Sequence, residues 1–517
     1  MNKINDIFDQ VSYSNVISTV DLYSYPLHLE GLNDRPDNED LIQTENLDYT
    51  SNSFKPNPLA NLTLGSVSSS FIDIETDAEL AQIDVSKNVD ANGGIISIKA
   101  DIFGIGNDGQ IAADSGDNSI IGVASTEAFA SLNLQSDNQD ELSAIANSDS
   151  NVELDLLAIG LGNGGTISAG KGDDLIGGIA DLTAKSTASA ESLAEAFNLS
   201  LELDNGTADA NASAFANSSA IAYGVANSGE IFANQGNDVV FGLANSDSNS
   251  EAFANAIANS SSSDVATAIA NASAIAITQE NTAGIINSGK INTGVGNDAV
   301  IGIAFNNPAA RAGANAVANG ESNNTDANVD TFSFSDTSEV LAIGIDNFEG
   351  YITTGRGQDQ LFAYGSDIGI SGGRLWAGKG DDKVVAYSQM TGIKDTSIGL
   401  GEGNDYFKAA IGELDAFTGE FRTAENQDNS LVDSKVFGND GNDTFEIGDF
   451  AGRNVINGGS DFDTLKLFGD VDSYQFTVGA SDDNVLTIEN SGSILIARDI
   501  EAIYLDDSEQ FTISDFA

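Results

Sequence analysis

Ile167-Ser-Ala-Gly-Lys-Gly-Asp-Asp-Leu-Ile-Gly177 is one of several copies of a single pattern. Ile231–Phe241 reads IFANQGNDVVF, Ile291–Ile301 INTGVGNDAVI, Ile352–Phe362 ITTGRGQDQLF and Leu375–Val385 LWAGKGDDKVV. Ile398–Lys408 reads IGLGEGNDYFK and Val436–Glu446 VFGNDGNDTFE. An eroded first copy, IAADSGDNSII, runs from Ile111 to Ile121, and a last one, GGSDFDTL, from Gly458 to Leu465. The shared core is G-x-G-x-D-x-U, with U a large apolar residue. The glycines permit a positive φ and a sharp turn. The turn aims backbone carbonyls inward and the Asp adds a charged oxygen. The apolar residue then enters a strand and anchors the loop. Carbonyls and carboxylates without nitrogen or sulfur are the ligands a hard cation such as Ca²⁺ prefers.

This pattern closely resembles the GGxGxDxU repeat of the RTX family, the calcium-binding β-roll proteins of bacteria. The resemblance implies Ca²⁺ shared between stacked loops. By motif position the implied carboxylates are Asp174, Asp238, Asp298, Asp359, Asp382, Asp405, Asp443 and Asp463. Asp173, Asn237, Asn297, Asp381, Asn404 and Asn442 stand beside them as further loop oxygens. The first copy carries Asn118 instead of Asp. The first glycine of the family pair is replaced in most copies, as at Ala169 and Thr293, and the repeats do not run in tandem.

The spacing predicts two kinds of coil. The second glycines fall at 116, 172, 236, 296 and 357, so the early gaps are 56, 64, 60 and 61 residues. Between them Ala208–Ala216, Ala252–Ala258 and Ala266–Ala276 alternate strictly with other residues. Alanine favours helix by propensity, but period two places all the alanines on one face of a strand. A wide parallel solenoid follows, with one unit of about sixty residues per coil; the alternative is a narrow solenoid of about twenty residues per coil. Ser189–Phe197, SAESLAEAF, is expected as a short helix. From Gly357 the gaps to 380 and 403 shrink to 23, then 38 to 441. Trp376 and Tyr387 in these short coils read as core, or else as the one aromatic cluster able to stack on a ligand.

The expected class is thus an all-β parallel solenoid. A polar arm spans 1–60, N-terminal strands 61–110, wide coils 111–350, short coils 351–465, and a β cap 466–517. Asp463 to the end resembles the cap and uncleaved secretion signal of type I-secreted RTX proteins, through Tyr474-x-Phe476-x-Val478, Ile500–Leu505 and the tail Thr512-Ile-Ser-Asp-Phe-Ala517. That implies export through a type I apparatus, consistent with an N-terminus, MNKINDIFDQVSYS, that lacks a secretory apolar region.

Composition narrows the function. Seventy-nine acidic residues against 20 basic ones give a net charge of −59. Such a chain repels nucleic acid and anionic membranes, and its compact state needs counter-ions. No apolar run is long enough for a membrane span. There is no cysteine, and His28 is the only histidine, which removes disulfides, thiolate sites and most histidine chemistry. Neither an HExxH motif nor a GxSxG nucleophile elbow is expected, and about 100 residues ahead of the repeats are few for a catalytic domain. The expectation is a secreted, extracellular or cell-surface protein that folds on Ca²⁺ and assembles with itself into a layer, fibril or matrix. A monomeric adhesin that binds surface polysaccharide is the alternative, and an enzyme is not expected.

Overall fold

The computed structural model describes strand backbone at 47–49, 60–64, 71–77 and 80–90. It then describes residues 94–516 apart from 114–115, 141–142, 198–204, 263–264, 323, 338–339, 415–420, 425–426, 428, 470, 480–483 and 506–508. The arm expected over 1–60, with His28, lies outside the described residues except for those first strands.

The fold is all-β, with no α-helix among the described residues. Its strands stack into three long sheets of 13, 14 and 11 strands. Each coil visits all three. Glu230–Gln235 lies in the first sheet and is followed by the Gly236–Asp238 turn. Val239–Ser261 then runs in the second sheet and Val265–Asn287 returns in the third. Lys290–Val295 re-enters the first, one coil on. Val239 pairs in parallel with Leu175 in the preceding coil and with Ala299 in the next. One coil therefore takes about sixty residues, as the wide solenoid requires.

The alternating alanines make this width possible. Ala208, Ala210, Ala212, Ala214 and Ala216 are buried on one face of Gly206–Asn227, and Ala252–Ala258 on one face of Val239–Ser261. Together with Ala184–Ala196 and Ala268–Ala276 they form one continuous core between the second and third sheets. A methyl side chain lets the sheets approach closely while the backbone groups pair coil to coil along the ladders. Ser189–Phe197 is not a helix; it completes the strand Leu175–Phe197. Its even positions, Ala190, Ser192, Ala194 and Ala196, continue the buried row. In-register neighbours on both sides outweigh helix propensity here.

A second core of Ile, Val, Leu and Phe runs the length of the solenoid where the three sheets enclose a prism: Ile167, Ile231 and Ile291 from the first, Ile176, Val240 and Val300 from the second, Leu161, Val225 and Ile285 from the third. A waist of glycines separates it from the alanine core. A methyl on Gly178 would lie 1.8 Å from the Gly224 carbonyl, and one on Gly242 1.9 Å from that of Gly284. The second and third sheets thus meet backbone to backbone, where no side chain fits.

At the far corner of each wide coil a buried asparagine closes the turn back to the first sheet. Asn107, Asn163, Asn227, Asn287 and Asn347 form a ladder in which each Nδ2 donates to the next Oδ1 at 2.7 Å. Identical amides stacked in register satisfy one another, as in other stacked β arrays.

The wide wing ends abruptly. Gln360–Gly365 continues only residues 299–304 of Ala299–Glu321. Among the described residues no strand covers 305–321 on that side. Asn324–Asp336 likewise pairs only with Val265–Ile277. Coils after 340 keep the prism alone. The stack closes with antiparallel strands Gln475–Val478, Val485–Asn490 and Ser493–Arg498. Phe516 stacks on Phe476 at 4.1 Å.

Candidate functional site

The G-x-G-x-D turns stack between the first and second sheets. The second glycine is required twice over. At Gly296 φ is +149°, and a methyl there would sit 1.5 Å from the Gly236 carbonyl. Gly236, Gly357, Gly380, Gly403 and Gly441 have the same relation to the glycine one coil earlier. The first motif position also needs positive φ; Asn234 and Asn439 replace glycine there at +84° and +82°, as short amide side chains can.

All eight motif aspartates are buried and form one ladder. The Asp174 N–H donates to Asp238 Oδ1, Asp238 to Asp298, Asp298 to Asp359 and Asp359 to Asp382, each at 2.8 Å. Asp382 donates to Asp405, Asp405 to Asp443 and Asp443 to Asp463, again at 2.8 Å. Asn118 N–H starts the series on Asp174 Oδ1, and Glu501 Oε2 ends it on the Asp463 N–H. Glu501 was not signalled by the motif, because it lies in the cap.

The six flanking residues lie on the solvent side and build a second ladder of opposite sense. Asn237 N–H donates to Asp173 Oδ1, Asn297 to Asn237, Asn404 to Asp381 and Asn442 to Asn404. Asp117 joins it by accepting from the Asp173 N–H. The structure thus divides the fourteen candidates into an inner carboxylate column and an outer, mostly amide, column.

The inner column has unspent oxygen. Oδ2 of each of the eight aspartates is buried without a hydrogen-bond partner. Among the described residues no lysine or arginine is a leading influence on any of them. Burial pushes Asp382 up to about 8, and Asp238, Asp298, Asp443 and Asp463 up to about 7. It pushes Asp174, Asp359 and Asp405 up to about 6. Adjacent carboxylates add to the rise in most of the column, and the donated N–H groups oppose it.

These shifts have a definite sign. The folded carboxyls hold protons that unfolded Asp, titrating near 4, releases. Without a cation the folded state therefore binds more protons between about pH 4 and 8, and its stability falls as pH rises through that window. Chelator-treated protein should show more β circular dichroism at pH 5 than at pH 8. A signal that rises towards pH 8 would mean that the column is not proton-linked in this way.

No group of three or more His, Cys, Asp or Glu gathers in metal-holding geometry among the described residues. Each coil brings one inner carboxylate, so a cation held here draws on two successive coils and on backbone carbonyls.

The aromatic pair named from the sequence is not brought together. Trp376 is on the first sheet, 41% exposed, with its ring over Gly399. It is a surface side chain and not part of the core, because that strand position faces outward. Tyr387 is on the second sheet, stacked on Phe421 at 3.7 Å. Gly369-Ile-Ser-Gly-Gly373 has the letters of a nucleophile elbow, but Ser371 ends a short strand with no helix after it.

No family model matches the chain, and a search of curated proteins returns no match.

Proposed function

We propose that the protein is a secreted calcium-binding structural protein whose folding is coupled to Ca²⁺ outside the cell. The observation that carries this reading is the column of eight buried aspartates, each with one oxygen hydrogen-bonded and the other unspent. Leaving a buried carboxylate oxygen unmatched is costly. Stacking eight of them without a basic partner compounds the cost by like-charge repulsion. A hard divalent cation between coils removes both costs, and the donor set, carboxylate plus carbonyl, suits Ca²⁺. Asp174, Asp238, Asp298, Asp359, Asp382, Asp405, Asp443 and Asp463 would hold it. Ligation then becomes folding free energy. At low Ca²⁺ the −59 charge keeps the chain expanded and suited to a type I export channel.

The experiment is a Ca²⁺ titration of chelator-stripped protein followed by far-UV circular dichroism. The expected result is a cooperative coil-to-β change that Mg²⁺ does not reproduce. A β spectrum already complete in chelator at pH 8, and unmoved by Ca²⁺, would reduce the turns to plain structure.

Self-assembly is the second part of the proposal. Among the described residues no further strand pairs with 305–319 or 324–335 on their outer side, where Val317, Val329, Phe332 and Phe334 are exposed. Such edges invite further strands. A surface layer, fibril or matrix follows if copies meet there. Calcium-loaded protein that stays monomeric at high concentration in light scattering would remove this part alone.

A further inference from the structure

The interior of the third wide coil contains a second group of unspent oxygens, away from the turns. Thr278 Oγ1 donates to Ser250 Oγ at 3.0 Å, and Ser250 Oγ to the Ile277 carbonyl at 2.6 Å. At this level every hydroxyl is used; Ser186 and Ser218 complete the network at 2.9 Å. Two and four residues along the same facing strands lie Ser248 and Ser246 on one side, Glu280 and Thr282 on the other. All four are buried: Glu280 is 3% exposed and the others 0%. Both carboxylate oxygens of Glu280, both serine Oγ atoms and Thr282 Oγ1 have no hydrogen-bond partner. The Ser248 and Ser246 hydroxyls and the Ser248 N–H face the Glu280 carboxylate, outside good hydrogen-bond geometry but close enough to pull its pKa down, yet burial still pushes it up to about 7.

The surroundings offer no relief. The in-register residues of the preceding coil are Leu182, Ala184, Ala220 and Ala222. Those of the next coil are Asn306, Pro308, Val340 and Ala342. Asp247, between Ser246 and Ser248 in sequence, faces outward and is paired with Lys185 at 3.7 Å; on the side of the next coil Asp367 is spent on the Asn306 Nδ2 and Ala342 N–H donors, at 3.2 and 2.7 Å.

We infer that Glu280, Ser246, Ser248 and Thr282 hold a hard monovalent cation of the sodium kind in the interior of the wide coil. The donors are five oxygens from four side chains, without nitrogen or sulfur, which selects a hard ion. The formal charge of the group is a single negative one. A divalent ion would leave a net positive charge in an alanine-lined interior, where an uncompensated charge is expensive. A proton on Glu280 would add one donor to the three hydroxyls, none of which is in hydrogen-bond geometry with the carboxyl, whereas an ion at their centre would engage all five oxygens. Neither neighbouring coil repeats the set, the preceding one carrying leucine and alanine and the next asparagine, proline, valine and alanine, so the site belongs to one coil and is no part of the repeated turn ladder. It does not depend on what the turns bind.

The test uses the full chain with Ca²⁺ in excess. The unfolding midpoint is measured in sodium chloride and in choline chloride at matched ionic strength. Sodium should raise the midpoint by about 2 °C over choline, and Glu280→Gln should abolish the difference. Crystals of the unaltered protein exchanged into Tl⁺ should show an anomalous peak among these four residues, a readout that does not rely on the variant folding. Equal midpoints in the two salts, a sodium effect that survives in Glu280→Gln, or no thallium peak at this place would overturn the assignment in favour of a protonated or water-bridged carboxyl.

Discussion

Asp298→Ala should raise the Ca²⁺ concentration needed for folding several-fold or more, whereas Asp117→Ala should leave it nearly unchanged. Asp298 sits near the middle of the inner column; it donates to Asp359 Oδ1 and accepts from the Asp238 N–H. Truncation orphans that buried N–H, at a cost of about 1–3 kcal/mol, and removes a proposed ligand from two successive coils. Asp117 also accepts a coil-to-coil bond, from Asp173, but both are exposed and water replaces the partner. Asp298→Asn separates the two roles, because the amide keeps an acceptor for Asp238 and discards the charge. In chelator at pH 8 it should hold at least as much β structure as the unaltered chain, since no charge is then buried at that position. In Ca²⁺ it should need more of the ion. If Asp298→Asn lowers the Ca²⁺ requirement as well, the column is a structural carboxylate ladder and the calcium reading fails.

Gly296→Ala should be among the most damaging single methyl additions in the chain. The added carbon would fall 1.5 Å from the Gly236 carbonyl oxygen, and φ at +149° is a conformation L-residues resist. Backbone above and below is fixed by ladders on both sides, so the clash is relieved only by parting two coils. An effect above about 4 kcal/mol is expected, seen as partial loss of β signal even in saturating Ca²⁺. Gly116→Ala is the matched control. Its φ is +134°, yet nothing lies within 4 Å of the added methyl, because it belongs to the first turn, with no described turn stacked before it. It should cost only the conformational term, about 1–2 kcal/mol. Comparable damage at the two glycines would mean that strain, not coil-to-coil contact, explains their recurrence.

Much of this architecture is legible in the residues alone. A motif that repeats at fixed offsets already places its glycines at turns and its aspartates on one line. Strict two-residue alternation in Ala208–Ala216, Ala252–Ala258 and Ala266–Ala276 already places one face inward, since side-chain direction in a strand depends on parity alone. The same parity was present in Ser189–Phe197, where helix propensity suggested otherwise. The waist glycines Gly178, Gly224, Gly242 and Gly284 also recur once per long strand. Their meaning, however, depends on two sheets crossing, which no spacing along one strand reveals.

What only the tertiary structure decided is how the oxygens are spent. The inner and outer residues of each turn are adjacent in sequence, and in turns such as Asp173–Asp174 and Asp381–Asp382 they are chemically identical. Stacking buries one and exposes the other, gives one Asp oxygen to a neighbouring N–H and leaves its twin unspent. Glu280 reads as one acid among 79; it becomes distinctive only when the return strand sets it opposite Ser248, in the buried interior of the coil. Local pattern determines which way a side chain points, and that is a property of the strand itself. Which group it meets depends on register between residues tens of positions apart, and that is settled only when all the coils have closed on one another.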